Sequence, residues 1–229
     1  MRYMNDRLSL KEFLFIMGLL TYHVFLFPLA LSFAVGMGLT GDLGDTELNF
    51  IYYASSLLLT FIFAGKYLRR SFDNLLDNPK RALTSFLLAW AIYLGLNAAI
   101  NSILIFIPFF AEENPNQASI EALVVADRGM IAAMTVFMAP IVEEVIFRGG
   151  LFCGLHRRSR VLAYAVSILA FSLYHVWQYA LLADVRMLLF AIQYVPASFA
   201  LCWCYERSGS IWTAIAFHMS INALGVIMM

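Results

Sequence analysis

Long apolar runs constrain this chain more than any other feature of its sequence. Of its 229 residues, 62% are hydrophobic and only 13% are charged, which departs strongly from the composition of soluble domains. A run of about 18 or more apolar residues is long enough to cross a bilayer as a helix. Within lipid the backbone must satisfy its own hydrogen bonds, and a helix does so within one segment. The sequence therefore predicts an all-α, polytopic transmembrane helix bundle.

Seven such runs are present, and they predict about seven spans. They cover residues 12–38, 49–67, 84–110, 129–154, 161–182, 186–205 and 210–229. The first run is longer than the apolar core of a signal peptide and lacks a small-residue cleavage site, so we expect a span there. The polar connection 111–127 then divides a three-span N-terminal part, residues 1–127, from a four-span C-terminal core, residues 128–229. The N-terminal part carries no motif that we can assign.

Loop cations predict the orientation of the spans. Twelve of the fifteen Lys and Arg residues fall on one side: Arg2, Arg7, Lys11, Lys66, Arg69, Arg70, Lys80, Arg81, Arg157, Arg158, Arg160 and Arg207. The opposite loops carry Arg128 and Arg186 and are otherwise acidic. We therefore expect a multi-pass protein with the amino terminus cytoplasmic and the carboxyl terminus outside. The membrane that we expect is the plasma membrane of a prokaryote. Without a basic tract, nucleic acid is not an expected partner.

Three charged residues interrupt the fourth apolar run. They are Glu143, Glu144 and Arg148. An ionised group at the centre of a membrane helix costs about 2.5 to 3.5 kcal/mol, so such groups are expected to pair or to do chemistry. Glu144 and Arg148 are four residues apart and share a helix face, whereas Glu143 is rotated from Glu144 by about 100°. The arginine can thus neutralise one carboxylate and leave the other free, although a purely structural ion pair is an equally open interpretation.

Later runs carry His175, His218 and Asn222. At 1.5 Å per residue, Glu143, His218 and His175 lie about 15, 12 and 20 Å from the cytoplasmic ends of their spans. They can therefore meet at one depth, in a site that we expect to open toward the cytosol. The alternatives are a hydrogen-bonded core histidine at 175 and an interhelical clamp at 218 and 222.

The remaining polar and aromatic residues receive no catalytic role from the sequence. His23 has no ionisable neighbours in its span, and His156 lies in a basic loop. The three cysteines, Cys153, Cys202 and Cys204, follow no metal-binding or redox spacing and are predicted to be packing thiols. The tyrosines of the spans are expected to pack or to face lipid.

Glutamate and histidine together suit the activation of water. Glu143 is the expected general base, helped by His175. A histidine N–H and the Asn222 amide, one turn apart, could stabilise an oxyanion. Zinc is the alternative, with Glu143, His175 and His218 as candidate ligands and a fourth position for water. The H-E-x-x-H motif is absent, so the sequence leaves metal-free and metal-assisted hydrolysis both open, and no cofactor is certain.

The same residues carry a family resemblance. Glu143-Glu144-x-x-x-Arg148 followed by Gly149, then Phe171-x-x-x-His175, then His218-x-x-x-Asn222, resemble the three motifs of the CPBP intramembrane proteases. That family includes type II CAAX prenyl endopeptidases and bacteriocin-processing or immunity proteins. The resemblance covers about residues 128–229. It implies that the first glutamate and first histidine activate water and that the last histidine and asparagine stabilise the oxyanion.

The resulting hypothesis is an intramembrane endopeptidase. Its partners would be the lipid bilayer and a membrane-embedded or lipidated peptide or protein, including a prenylated one. Metal dependence, and with it the class of metalloprotease, stays open. Two alternatives remain: a non-catalytic protein that binds a peptide, such as a bacteriocin-immunity factor, and a proton-coupled carrier that uses Glu and His as a relay. The chain lacks the repeated halves and matching broken helices expected of a carrier.

Overall fold

The computed structural model describes residues 8–229, and within that range it contains helices and no strand. We number its helices α1 Leu10–Gly36, α2 Asp45–Asp77, α3 Pro79–Leu104, α4 Pro115–Ala126, α5 Arg128–His156, α6 Arg160–Tyr174, α7 Trp177–Leu182, α8 Val185–Ser208 and α9 Ile211–Met228. A 3₁₀ turn, Pro108–Ala111, precedes α4. The predicted all-α bundle is confirmed.

Six of these helices are long and apolar enough to span a membrane: α1, α2, α3, α5, α8 and α9. The fifth predicted span, 161–182, is wrong as a single helix, because α6 has 15 residues and α7 begins only at Trp177. The break lies at His175, whose Nδ1 donates to the Phe171 carbonyl at 2.8 Å. The third predicted span also ends earlier than expected, at Leu104, ahead of the turn that begins at Pro108.

Short polar side chains mark the start of several helices. Ser9 and Glu12 form a reciprocal capping box at the start of α1, which satisfies two backbone donors that the helix itself cannot. Asp127, Ser159 and Ser210 accept backbone N–H groups at the starts of α5, α6 and α9. Helix α4 occupies most of the polar connection 111–127.

Close contacts between α1, α2 and α5 join the N-terminal spans to the C-terminal ones. A Cβ atom on Gly150 would lie 2.7 Å from Ile16 Cγ2, and one on Gly149 would lie 3.0 Å from a Tyr67 ring carbon. Small residues permit such approach in membrane bundles, where van der Waals packing drives association. One buried core accordingly includes Ile16 and Tyr67 together with Phe217 from α9. The functional division at residue 127 stays a prediction.

The basic loops meet at one end of the bundle, which we call the basic end. Arg70 pairs with Glu12 at 2.7 Å, and Arg81 donates to the Ser208 carbonyl at 2.9 Å. Arg160 pairs with Glu206 at 2.6 Å. The opposite, acidic end carries the start of α2, helix α4 and the end of α9. Arg2 and Arg7, which contributed to the predicted orientation, lie outside the described residues.

The orientation stays a prediction, and labelling tests it. Asp45 and Arg158 are both exposed, at opposite ends of the bundle, while the native cysteines are buried. In intact cells, a membrane-impermeant thiol reagent should modify Asp45→Cys and should reach Arg158→Cys only after permeabilisation, because basic loops are retained in the cytoplasm. Labelling of Arg158→Cys in intact cells would reverse the orientation.

Candidate active site

Glu143 and Glu144 lie between two distorted stretches of α5, and Arg148 lies within the second of them. π-Helical turns occupy Ala133–Met138 and Val145–Phe152, and such turns often accompany functional sites because they re-aim neighbouring side chains. Glu143 is 4% exposed, and both Glu144 and Arg148 are fully buried. All three charges therefore face the interior of the bundle and not the lipid.

Arg148 forms the ion pair that its spacing from Glu144 predicts. Arg148 Nη1 lies 2.8 Å from Glu144 Oε1. Its Nη2 donates to Ser198 Oγ at 3.0 Å and to the Ser198 carbonyl at 3.3 Å. The guanidinium lies over the Phe171 ring, 4.2 Å from its centroid, a favourable cation–π position. One arginine thus links α5 to α6 and α8.

The two histidines reach Glu143 from α6 and α9, at the one depth that the sequence predicted. His175 Nε2 lies 4.0 Å from Glu143 Oε2, and His218 Nε2 lies 3.9 Å from the same oxygen. The Nδ1 atoms face elsewhere: that of His175 donates to the Phe171 carbonyl, and that of His218 lies 2.9 Å from Glu144 Oε1. Because a carbonyl can only accept, neutral His175 presents the lone pair of Nε2 to Glu143.

Asn222 lies on the same cavity but has a partner of its own. Its Nδ2 donates to the Thr135 carbonyl at 2.8 Å, within the first π-helical turn of α5. A primary amide carries two hydrogens, so one remains for another acceptor. The structure therefore brings five predicted residues into direct contact or near contact, and it places Asn222 beside them through the backbone of α5.

A cavity of about 810 Å³ extends from this cluster. Glu143, His175, His218 and Asn222 line its inner part, while Asp45, helix α4 and Met229 line its outer part. The outer part belongs to the acidic end of the bundle. The cavity therefore extends toward the acidic end, whereas the sequence predicted an opening at the basic end.

Tyrosines form much of the cavity wall, which the sequence did not reveal. Six tyrosines line it, a role that the prediction of packing or lipid-facing surfaces did not include: Tyr52, Tyr53, Tyr93, Tyr174, Tyr179 and Tyr194. Tyr194 stacks on His175 with a centroid distance of 4.3 Å and an interplanar angle of 23°. The only local signal was the adjacency of Tyr174 to His175, since apolar spans show no face preference by periodicity.

The donor types at the site include those that zinc prefers, yet their arrangement is not that of a formed metal centre. Among the described residues, no group of three or more His, Cys, Asp or Glu side chains is placed to hold a metal ion. The 3.9 and 4.0 Å separations around Glu143 Oε2 instead match hydrogen bonding through a bridging group.

Comparisons with known proteins agree with the C-terminal motifs. Residues 127–224 match the family described as type II CAAX prenyl endopeptidase Rce1-like. The chain is 25% identical over 230 residues to a Bacillus subtilis (strain 168) protein named "Putative membrane peptidase YdiL", and the alignment covers 95% of this chain and 89% of that protein. No solved structure matches. The matched family region contains all six candidate residues.

The Glu144–Arg148 ion pair predicts different losses of folding stability for two substitutions. Arg148→Ala should lower the stability of the folded protein by about 3 to 5 kcal/mol, because it leaves the Glu144 carboxylate buried without its cation. Glu143→Gln keeps the shape of the side chain and the Glu144–Arg148 pair, so its thermal midpoint should stay near that of the wild type. Thermal unfolding of both variants in detergent measures the difference. Equal losses would contradict the division of roles between the two glutamates.

Proposed function

We propose that this chain is an intramembrane endopeptidase of the CPBP type. It hydrolyses a peptide bond of a membrane-embedded or lipidated protein, including prenylated ones. The match of residues 127–224 to the type II CAAX prenyl endopeptidase Rce1-like family and the similarity to the protein named "Putative membrane peptidase YdiL" support the proposal. The observation that carries the proposal is the environment of the Glu143 Oε2 atom. That oxygen is buried, has no hydrogen-bond partner among the described residues, and faces two imidazole nitrogens.

The geometry around Glu143 suits the binding of one water molecule. Two acceptors 4.0 Å apart, such as Glu143 Oε2 and His175 Nε2, can each lie about 2.8 Å from a single water oxygen. Water that donates one hydrogen to each acceptor keeps its lone pairs for attack. Glu143 and His175 are thus the groups that activate water, with Glu143 taking the proton.

Hydrolysis then needs only the substrate and that water. The water oxygen bonds to the scissile carbonyl carbon, and one water proton passes to Glu143. When the C–N bond breaks, Glu143 returns the proton to the leaving nitrogen, which leaves an amine and a carboxylic acid. No oxidant, reductant or further reactant is required.

His218 and Asn222 stabilise the negative charge that develops on the carbonyl oxygen of the substrate. His218 bonds through Nδ1 to Glu144, so it donates from Nε2 in its protonated form. Two carboxylates, Glu143 and Glu144, then balance two cations, Arg148 and His218, and the buried cluster is neutral overall. The second amide hydrogen of Asn222 supplies another donor, and fixed donors in a site screened from water stabilise an oxyanion strongly.

The cavity and the family together suggest the substrate. A volume of about 810 Å³ is enough for a short peptide segment or for a drug-sized ligand. The Rce1-like family is named for prenyl endopeptidases, which makes a lipidated peptide a reasonable occupant. The protein is proposed to reside in the plasma membrane of a prokaryote, as its Bacillus relative suggests, with the amino terminus cytoplasmic and the carboxyl terminus outside.

Cleavage by reconstituted protein tests this proposal. The assay uses vesicles of phosphatidylethanolamine and phosphatidylglycerol and a library of internally quenched peptides, each with and without a farnesyl group. We expect wild-type protein to release defined fragments and Glu143→Gln to release none, because the amide cannot accept the proton. Peptides that bind equally to both proteins without cleavage would instead support the peptide-binding or immunity alternative.

Chelation tests the metal-free form of the mechanism that we propose. If Glu143 and His175 act unaided, thorough dialysis against a chelator should leave the cleavage rate unchanged. Zinc held by Glu143, His175 and His218 would instead require ligand distances near 2.0 to 2.2 Å, and activity would vanish on chelation and return with zinc. Stoichiometric zinc in active, dialysed protein, lost with activity in His175→Ala, would overturn the metal-free mechanism.

A further inference from the structure

A second polar cluster lies beside the first, in the N-terminal spans that carry no motif. His23 is fully buried in a π-helical turn of α1, Tyr22–Leu26. Its Nδ1 lies 2.9 Å from Ser56 Oγ, and its Nε2 lies 2.9 Å from the Tyr174 hydroxyl and 3.0 Å from that of Tyr52. All of these partners come from other helices, so the sequence of the span that carries His23 did not reveal them. Three helices, α1, α2 and α6, contribute to this cluster.

Counting protons fixes the direction of these hydrogen bonds. The fully buried Ser56 hydroxyl contacts only His23 Nδ1 among the described residues. Its proton is satisfied only if Nδ1 accepts it, since an unpaired buried donor is costly. Neutral His23 then carries its own hydrogen on Nε2. That hydrogen points at the phenol oxygens of Tyr52 and Tyr174.

The hydroxyl protons of Tyr52 and Tyr174 differ in the acceptors that are available to them. The Tyr52 hydroxyl donates to the His23 carbonyl at 2.8 Å, so its single proton is used. Tyr174 accepts from His23, and its proton has the Tyr52 oxygen at 3.3 Å and an interaction with the neighbouring Tyr53 hydroxyl. That distance is well beyond the usual O–H···O length of about 2.7 to 2.8 Å. Tyr174 is thus held as an acceptor on one side and retains a weakly engaged proton.

Tyr174 is also in the right place to use that proton. It lines the same cavity as Glu143, His175 and His218, and it directly precedes His175 at the end of α6. One amide hydrogen of Asn222, the other proposed oxyanion donor, is already given to Thr135. A phenol at this wall therefore adds a donor where the site has few.

We propose that Tyr174 donates a hydrogen bond to the substrate carbonyl oxygen during hydrolysis, and that His23 and Tyr52 are positioning residues that orient its hydroxyl. This inference rests on the proposed function. It gives the N-terminal spans a part in the reaction: α1 supplies the imidazole, and α2 supplies Ser56 and Tyr52. It also explains why a buried histidine is retained in α1 with every polar atom of its ring bonded.

Removal of single hydroxyls tests the inference. Tyr174→Phe should lower kcat about 100-fold, the lower end of the loss for one oxyanion donor, with little change in KM. The matched control is Tyr67→Phe, which removes a buried phenol that bonds Tyr205 at 3.0 Å outside the cavity wall. Both variants remove one buried phenol hydroxyl, so their thermal midpoints can be compared, whereas only Tyr174→Phe should lose kcat.

Substitution of His23 separates positioning from packing. His23→Leu should reduce kcat as Tyr174→Phe does, and His23→Gln, whose amide can still donate to Tyr174, should restore part of it. This pair also carries the test if Tyr174→Phe does not fold. Unchanged kcat in Tyr174→Phe, or equal kcat in the two His23 variants, overturns the inference.

The Glu143→Gln variant separates a failure of the protease proposal from a failure of the proposed role of Tyr174. If wild-type protein cleaves, Glu143→Gln does not, and Tyr174→Phe cleaves at the wild-type rate, the protease proposal stands and the role of Tyr174 is wrong. If wild-type protein and every variant fail to cleave the whole peptide library, the protease proposal fails and the role of Tyr174 fails with it.

Discussion

The arrangement of this bundle depends on one buried carboxylate, that of Glu144. Its Oε1 lies 2.8 Å from Arg148 and 2.9 Å from His218, and Arg148 continues to Ser198 and Phe171. These contacts tie α5 to α6, α8 and α9. In an apolar interior a carboxylate must keep its partners, because loss of one leaves a charge that nothing else can compensate. The rotational positions of four helices are thereby coupled.

This coupling places the Glu143 carboxylate in a different environment from the Glu144 carboxylate. Adjacent residues on a helix face directions about 100° apart, so the helix that points Glu144 at Arg148 points Glu143 at the cavity. The end of α6 at His175 brings one imidazole to Glu143, and α9 brings the other. Two carboxylates that differ by one position in sequence thus acquire separate environments, one bonded to Arg148 and His218 and one facing the cavity.

The N-terminal spans line part of the cavity. Gly149 and Gly150 let α5 approach Tyr67 and Ile16 closely, and the same approach brings His23 and Tyr52 to the wall formed by Tyr174. Helix α4, between the two groups of spans, lines the outer part of the cavity and bonds to Tyr194 through Asn116. Tyr194 in turn stacks on His175, which links the outer wall to the inner cluster.

The sequence by itself determined the helical class, most of the spans, and the pairing of Glu144 with Arg148, because each follows from local length or from the 3.6-residue period. It also determined which residues to examine, through three motifs that resemble the CPBP family. Only the tertiary structure decided the break at His175, the extension of the cavity toward the acidic end, and the presence of His23 and the tyrosines beside the site. The physical reason is that these spans are apolar on every face. Periodicity then cannot tell a side that meets lipid from one that meets another helix, and the mutual rotation of the helices is set by interhelical hydrogen bonds and close packing.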